Sequence, residues 1–216
     1  MTDIELIEKI IMRIPRLKPF FVESISIKYE LNVVRQVIRT LMNEKKVVSV
    51  SRGMYLRPKP PRFLKANGFL IRPESEDVIS LIAKKTGEII IHNQWAALNY
   101  VGLSTQIPVR PVYLTSGRSR IIKMKSGPDI RLEHINPKRI VMPGSVTCLV
   151  VTALWEKYSK PIHPLSIKKI HERLTSKEYT EVIANLDKMP VKIKEAFVRY
   201  QNMDPKDPLL IDYDYH

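Results

Sequence analysis

The stretch VIRTLMNEKKVVSVSRGMYLRPK, Val37–Lys59, changes its periodicity within a few residues. Its first part continues a helical pattern, and its second part contains two short runs of β-forming residues, VVSV and MYL. The tripeptide Ser51-Arg52-Gly53 separates these runs, and a glycine at such a point is typical of a tight hairpin turn. The stretch therefore predicts a helix followed directly by a β-hairpin with Arg52 at its tip.

The residues before this stretch predict further helices. Thr2 and Glu5 have the spacing of a capping box, and isoleucines then recur every three or four residues. After an expected turn at KPFF, the segment VESISIKY fits either a short helix or a strand, because β-branched residues leave its periodicity ambiguous. Asn32 is a favourable N-cap for a third helix that ends near Glu44. This order predicts a winged helix-turn-helix in residues 1–62, closed by a proline-rich linker.

The rest of the chain, residues 63–216, has a different character. Strand-like runs (EIIIHNQ, RPVYLTSG, SRIIKMK and DIRLEHI) mix with helical segments in residues 63–142, which predicts a mixed α/β lobe. Residues 143–216 carry one helical pattern after another and predict a helical lobe. The expected fold class is α+β, with an N-terminal winged helix-turn-helix followed by a mixed α/β domain with a helical C-terminal lobe.

Charge is the strongest global feature of this sequence. The formal net charge is +14, and residues 1–66 contribute +8 of it, with 14 Lys and Arg against 6 Asp and Glu. A field of this sign attracts polyanions, with nucleic acid first and an anionic membrane surface second. No segment combines a long apolar face with a lysine-rich opposite face, which disfavours the membrane. A basic surface that serves solubility alone is the remaining alternative.

The third helix and the hairpin supply the candidate DNA contacts. Val34, Ile38 and Leu41 share one helix face, so the opposite face is free to enter a major groove. Arginine pairs bidentately with guanine and glutamine or asparagine with adenine, whereas hairpin serines and arginine suit phosphates. A solvated helix face is the alternative interpretation. The residues predicted to bind DNA are Asn32, Arg35, Gln36, Arg39, Ser49, Ser51 and Arg52.

Enzymatic motifs are missing from the sequence. No phosphate-binding glycine loop and no G-x-S-x-G elbow occurs, and the five histidines and Cys148 lack metal-ligand spacing. Asp129 and Glu133 form half of a nuclease-like carboxylate pattern, but Ile135 stands where a catalytic lysine would be needed. Asp129 is better explained as a turn residue. We expect no catalytic residue, no metal and no cofactor.

Three stretches carry a family resemblance: IRTLMNEKKVVSVSRGMYLRP, LNYVGLSTQIPVRPVYLTSGRSRII and IRLEHINP. They resemble the AbiEi-type antitoxins of bacterial type IV toxin–antitoxin systems, in the variety with an N-terminal winged helix. The resemblance implies a repressor of its own operon, acting at inverted repeats in double-stranded DNA, that counteracts a toxin with a nucleotidyltransferase fold. It also implies that Arg39 and the Arg52-Gly53 tip face DNA. The sequence departs from the family at Lys46 and at His92-Asn93.

A second basic segment follows the motif GLSTQ. Arg118 and Arg120, followed by Lys123 and Lys125, resemble the alternation of one strand face. Two interpretations fit them: a strand edge protected by charge, or a second basic surface for DNA or an acidic partner. With Gln106, the residues Arg118, Arg120 and Lys123 form the candidate neutralisation surface. The nearby Ser104 and Thr105 are expected to shape turns.

Two other classes of function fit the same sequence. One is a transcriptional regulator whose second domain binds a ligand or a protein and which has no toxin partner; a nuclease is the other. Trp95 and Trp155 lie in apolar helical patterns and are expected in the core. The absence of a secretory signal and of a long apolar run predicts a cytoplasmic protein without a membrane partner.

Overall fold

A computed structural model of the chain describes residues 2–59, 72–106, 109–155 and 161–211. The predicted α+β class is confirmed, with about half of the chain in helices and small sheets beside them. The backbone forms two compact units: Met1–Glu88 with Ser119–Leu132, and Ile89–Arg118 with Glu133–His216. The predicted domains 1–62 and 63–216 do not coincide with these units. Their boundary and the linker prolines Pro60 and Pro61 lie outside the described residues.

The first unit begins with helices and strands in an order compatible with the predicted winged helix-turn-helix. In chain order they are α1 (Asp3–Arg13), β1 (Pro19–Phe21), α2 (Val22–Ser26), α3 (Leu31–Asn43), β2 (Val48–Ser51) and β3 (Met54–Leu56). Thr2 and Glu5 form the predicted capping box at α1. The ambiguous segment after KPFF is helical over α2. Antiparallel pairing in the order β1-β3-β2 makes a three-stranded sheet.

Two local predictions in this unit are wrong. KPFF is not a turn, because Pro19–Phe21 pairs with β3, Phe20 opposite Tyr55. Asn32 is not the N-cap of α3, because the helix begins at Leu31 and Glu30 occupies the cap position without a side-chain hydrogen bond. Leu31 packs against the apolar core, so burial rather than capping sets the start of the helix. Asn32 lies instead in the first turn, on the exposed side.

The core of the first unit lies between α1, α2 and α3. Ile7 and Ile11 of α1 are fully buried, and they meet the apolar face of α3, whose Leu41 is only 1% exposed. Burial of such side chains stabilises a small domain by about 1.5–3 kcal/mol each. Arg57 closes one end of this core, since its guanidinium donates to the carbonyl oxygens of Met12 and, at 2.7 Å, of Ile14. These bonds tie the end of α1 to the end of β3.

Two later segments complete the first unit. The helix α4 (Ser75–Thr86) lies beside β1, where Lys85 places its ammonium 4.0 Å from the centre of the Phe21 ring. The strand-like runs SRIIKMK and DIRLEHI supply β6 (Arg120–Ile122) and β7 (Ile130–His134), which pair antiparallel. The loop between them contacts β2 of the three-stranded sheet, because the N–H of Lys125 donates to the carbonyl oxygen of Val50 at 2.8 Å.

The second unit is largely helical. Its strands β4 (Ile90–His92) and β5 (Val112–Thr115) pair antiparallel, and α5 (Gln94–Tyr100) follows β4. Its other helices are α6 (Val146–Leu154), α7 (Pro164–Arg173), α8 (Ser176–Ala184) and α9 (Val191–Gln201). They enclose a continuous apolar core around residues such as Phe197, Ile167 and Leu154.

For single residues of this unit, some sequence predictions are confirmed and one is wrong. Cys148 is buried in α6, as predicted, and Trp155 packs partly against the core. The prediction for Trp95 is wrong, since its side chain is 51% exposed. The apolar run around Trp95 belongs to a helix of about two turns that buries Ala97, and the tryptophan lies outside the core.

Candidate nucleic-acid interface

One face of α3 is polar and exposed. Asn32, Arg35, Gln36 and Arg39 all lie on it, while the opposite face is buried in the core. Asn43 completes this surface, because it is exposed and follows Arg39 by four residues, which is one helical turn. Asn43 is not one of the residues predicted to bind DNA, although its spacing from Gln36 and Arg39 places it on the same helix face. We call these five residues the α3 face.

The arginines near this face are unpaired. Within the described part of the chain, Arg35, Arg39 and Arg52 make no ion pair and no hydrogen bond. Among the neighbouring carboxylates, Glu44 and Glu8 contact Lys46 at 2.7 Å and 3.4 Å, and Glu30 accepts the side-chain amide of Asn32 at 3.5 Å. The remaining described ion pairs around α2 and β1 join Lys85 to Glu23 and Lys18 to Asp77. No acid in the described part of the chain therefore forms an ion pair with these arginines.

The hairpin tip, or wing, has the geometry that the sequence predicted. Ser51 and Met54 are opposite each other, which leaves Arg52 and Gly53 as a two-residue turn. Gly53 has a φ of 70°, a conformation that residues with a β-carbon seldom adopt. The carbonyl oxygen of Gly53 accepts the N–H of Val22 at 3.2 Å, so the first residue of α2 holds the tip. Arg52 is exposed at this fixed position.

The two predicted hairpin serines do not face solvent in the way expected. Ser51 is buried, and its hydroxyl donates to the carbonyl oxygen of Lys123 at 2.8 Å. The hydroxyl of Ser49 donates to the carbonyl oxygen of Ser51 at 3.3 Å. Their assignment as phosphate ligands is therefore corrected for Ser51, whose only proton is used internally. The reason lies in a contact with a segment 72 residues away.

This distant segment brings an additional cation to the wing. The bonds from Ser51 to Lys123 and from Lys125 to Val50 place residues 123–125 along the edge of β2. The Lys125 side chain is exposed and has no partner among the described residues, whereas Lys123 contacts Asp129 at 2.7 Å. No local pattern could have assigned Lys125 to the wing, because the contact is purely tertiary.

The predicted second basic surface is distributed over both units. Gln106 and Arg118 belong to the second unit, and Arg120 and Lys123 belong to the first. Arg120 is half-buried and contacts Glu88 at 2.8 Å. The predicted strand face is also shorter than expected, since β6 ends at Ile122, before either lysine.

The serines and threonines around the second segment shape turns, as the sequence indicated. The hydroxyl of Ser104 accepts the N–H of Gln106 at 3.1 Å, and that of Ser116 accepts the N–H of Ile89 at 2.9 Å. Thr115 likewise accepts the N–H of Gly117 at 3.0 Å. Such bonds fix a backbone path and need no partner molecule.

Contacts within the first unit shift the pKa values of two of its basic side chains. The hydrogen bond to Glu44 raises the pKa of Lys46, so this lysine stays charged and remains engaged with acids. Burial lowers the pKa of Arg57, and the nearby charge of Arg16 acts in the same direction. An arginine with an ordinary value near 12.5 still remains protonated at neutral pH. Both cations serve the fold.

The half-cluster of carboxylates at Asp129 has a structural role. Asp129 accepts the backbone N–H of Met124 at 2.9 Å as well as the Lys123 ammonium, as expected of a turn residue. Over the described ranges, no three His, Cys, Asp or Glu residues lie close enough to hold a metal ion. None of the described helices has the length and apolarity required to cross a membrane.

The chain belongs to the family of unknown function DUF6088, whose match extends over residues 6–183. This range includes α3, the wing, the loop at Lys125 and most of the second unit. No curated protein and no solved structure matches the chain significantly.

Proposed function

We propose that this member of the DUF6088 family binds double-stranded DNA through the α3 face and the wing, and acts in the cytoplasm as a transcriptional repressor. One observation carries the proposal: Arg35 and Arg39 on an exposed helix face, and Arg52 on an anchored hairpin tip, have no partner among the described residues. An exposed cation that is not paired with an acid of the same chain can bind phosphates and base edges without first breaking an ion pair.

The residue types on the α3 face suit a major groove. Arg35 and Arg39 can each pair with the O6 and N7 atoms of guanine, and Gln36 with adenine. The α3 helix has 13 residues and its polar side extends along most of them, so it can contact several consecutive base pairs. Arg52 at the hairpin tip and Lys125 beside β2 are suited to phosphates. If the chain dimerises, its operator is an inverted repeat.

For the second unit we propose the role that the AbiEi resemblance implies, namely counteraction of a toxin with a nucleotidyltransferase fold. The support is the resemblance of residues in GLSTQ and YLTSGRSR. The alternative, a regulator whose second unit binds a ligand, is favoured by a cavity in that unit that is lined by Asn93, Trp95 and Trp155. In neither case does the protein itself catalyse a reaction.

DNA binding is tested by fluorescence anisotropy with a labelled duplex from upstream of the protein's own reading frame. Arg39→Ala is expected to lose roughly 1–3 kcal/mol of binding free energy and to relax base preference. The matched control is Arg199→Ala, which removes the same charge from an exposed position of α9 in the second unit. Equal affinities for wild type, Arg39→Ala and Arg199→Ala would contradict the proposed interface.

Antitoxin action is tested separately, by co-expression with the product of the adjacent gene under an unrelated promoter. The full chain is expected to restore growth, and the variant Arg35→Ala/Arg39→Ala is expected to restore it equally, because relief of toxicity does not need operator binding in this arrangement. Failure of the full chain to restore growth would reject the antitoxin role and leave the DNA-binding role untouched.

A further inference from the structure

A cavity of about 240 Å³ lies within the second unit. Its wall is formed by the start of α5, by Leu114 of β5, by the end of β7 and the residues after it, and by α6. Pockets for drug-sized ligands measure ~300–1,000 Å³, so this cavity suits a single ring system with a small substituent.

Two residues of the cavity wall are aromatic. Trp95 and Trp155 both line the cavity, and they are the two tryptophans of the chain. Half of the Trp95 surface is exposed, although an indole ring is costly to leave in water. Trp155 is covered by the guanidinium of Arg139, 4.3 Å from the ring centre, which brings a planar cation to the same cavity. Flat faces of this kind favour a flat ligand.

A buried amide supplies the second, independent observation. Asn93 is only 7% exposed, and its Oδ1 atom accepts the N–H of Ala96 at 3.0 Å to cap α5. Its amide NH₂ group has no hydrogen-bond partner among the described residues, and Asn93 lines the cavity. The Nδ2 atom is not among the fully buried atoms that lack a partner, so it keeps access to solvent, and a bound molecule can replace water as its hydrogen-bond acceptor. Gln94, the next residue, adds a second amide without a partner in the described chain.

We propose that this cavity binds a nucleobase, stacked on Trp95 and hydrogen-bonded on its edge by Asn93 and Gln94. Bases present donors and acceptors in one plane, which amide side chains match, and their rings stack on indole. The carboxylate of Glu133 and the guanidinium of Arg139 add an acceptor and a donor to the same wall. The net charge of +14 favours ligands that carry phosphate.

The base has two sources with the same chemistry: a free nucleotide or an unpaired base of a nucleic-acid strand. The site is in the second unit, whereas the α3 face is in the first, and the inference does not rest on duplex binding. Because both tryptophans line the cavity, intrinsic fluorescence reports on its occupancy. The full chain is titrated with the four nucleosides, their 5′-monophosphates, a short single strand and a neutral disaccharide, with excitation at wavelengths that bases do not absorb.

The expected result is saturable quenching by at least one nucleoside or nucleotide and none by the disaccharide. Equal affinity for nucleotide and strand identifies a free base as sufficient, and tighter binding of the strand identifies nucleic acid as the source. Trp95→Ala is expected to weaken binding roughly 10-fold or more, without loss of folding, because that side chain is half exposed. Arg199→Ala, at an exposed position of α9 outside the cavity wall, is expected to leave the titration unchanged.

Asn93→Asp is the sharper variant. Aspartate retains the oxygen that caps α5 but removes the NH₂ donor, so the fold is kept while binding weakens about 10-fold. Asn202→Asp introduces the same charge at an exposed position outside the cavity wall and is the matched control. The proposal is overturned if no base-containing probe quenches, if the disaccharide alone does so, or if Asn93→Asp and Asn202→Asp bind equally.

Discussion

Two groups of basic residues look alike in the sequence and differ in the structure. Arg35, Arg39 and Arg52 are exposed and have no partner in the described chain, whereas Arg120 contacts Glu88 and Lys123 contacts Asp129. Both groups were candidates for a polyanion-binding surface on charge alone. Only the first retains its positive field, because a cation already bound to a carboxylate must leave it before it can bind a phosphate.

The difference shows that a count of charges does not locate an interface. The ion pairs of the first unit hold secondary-structure elements together, such as Lys18 with Asp77 and Lys85 with Glu23. Ion pairs at exposed positions contribute ~0–1 kcal/mol each to the free energy of folding, so they stabilise the fold only modestly. What distinguishes the α3 face and the wing is that Arg35, Arg39 and Arg52 form no such pair in the part of the chain that the structure describes.

The largest expected effect is on the free energy of unfolding, and it distinguishes a core residue of α3 from a residue of the α3 face. Leu41→Ala removes a side chain that is 1% exposed in the core of the first unit, and is expected to cost roughly 2–5 kcal/mol of unfolding free energy. Arg39→Ala, on the other side of the same helix, is expected to change it by less than about 0.5 kcal/mol. Urea unfolding followed by circular dichroism measures both. If Arg39→Ala destabilises as much as Leu41→Ala, the arginine serves the fold rather than a ligand.

A smaller effect is expected at the paired surface. Arg120→Ala leaves Glu88 without its guanidinium partner and is expected to lower the unfolding free energy by ~1 kcal/mol, with unchanged duplex affinity. Glu88→Gln is the complementary variant, since it removes the negative charge that Arg120 contacts. Tighter duplex binding by Glu88→Gln together with weaker binding by Arg120→Ala would show that Arg120 also contacts DNA, and the contrast between the two surfaces would fail.

Lys125 and Lys123 offer a matched pair within one loop. Lys125→Ala is expected to weaken all duplexes alike and to reduce the slope of log affinity against log salt by about 0.9. Lys123→Ala is expected to change the slope less, because Asp129 already neutralises that ammonium. Anisotropy at several salt concentrations measures both slopes. The reverse order of effects would mean that the loop does not present Lys125 to the phosphate backbone.

The smallest effect concerns a paired carboxylate in the second unit. A hydrogen bond from Tyr100, 2.6 Å long, and further bonds from Thr175 lower the pKa of Glu178 to about 2 from its ordinary 4.5. Since the folded-state pKa is depressed, the associated stability is present above pH 4.5 and is lost as pH falls towards 2. Thermal unfolding of wild type and Glu178→Gln across this range is expected to converge at the acidic end. A constant difference would mean that the bond to Tyr100 does not matter.

Local patterns in the sequence predicted the parts of the fold that local interactions decide. The capping box at Thr2, the apolar face of α3 and the turn at Gly53 each depend on residues within one or two turns of the chain. The strand Pro19–Phe21 was missed because three residues carry no periodicity and only the pairing with β3 creates it. Asn32 was misassigned as a cap because burial of Leu31 overrides capping preference.

The candidate interface was predictable to a similar extent. The arginines of α3 and the wing followed from spacing, and Asn43 could have been found by extending the same face. The buried role of Ser51 and the position of Lys125 could not, because both depend on a hairpin that lies far along the chain. The apolar pattern around Trp95 also did not predict that its side chain is exposed, since a short helix buries only one side.

The most direct measurement compares two triple variants in the salt dependence of duplex binding. Arg35→Ala/Arg39→Ala/Arg52→Ala is expected to abolish preference for the upstream duplex, since Arg35 and Arg39 contact base edges, and to reduce the slope by about 0.9, since Arg52 contacts phosphate. Arg118→Ala/Arg120→Ala/Lys123→Ala removes the same formal charge and is expected to keep the preference and to change the slope by less than about 0.9. Equal losses of slope and preference in the two variants would contradict the account, because net charge alone would then explain binding.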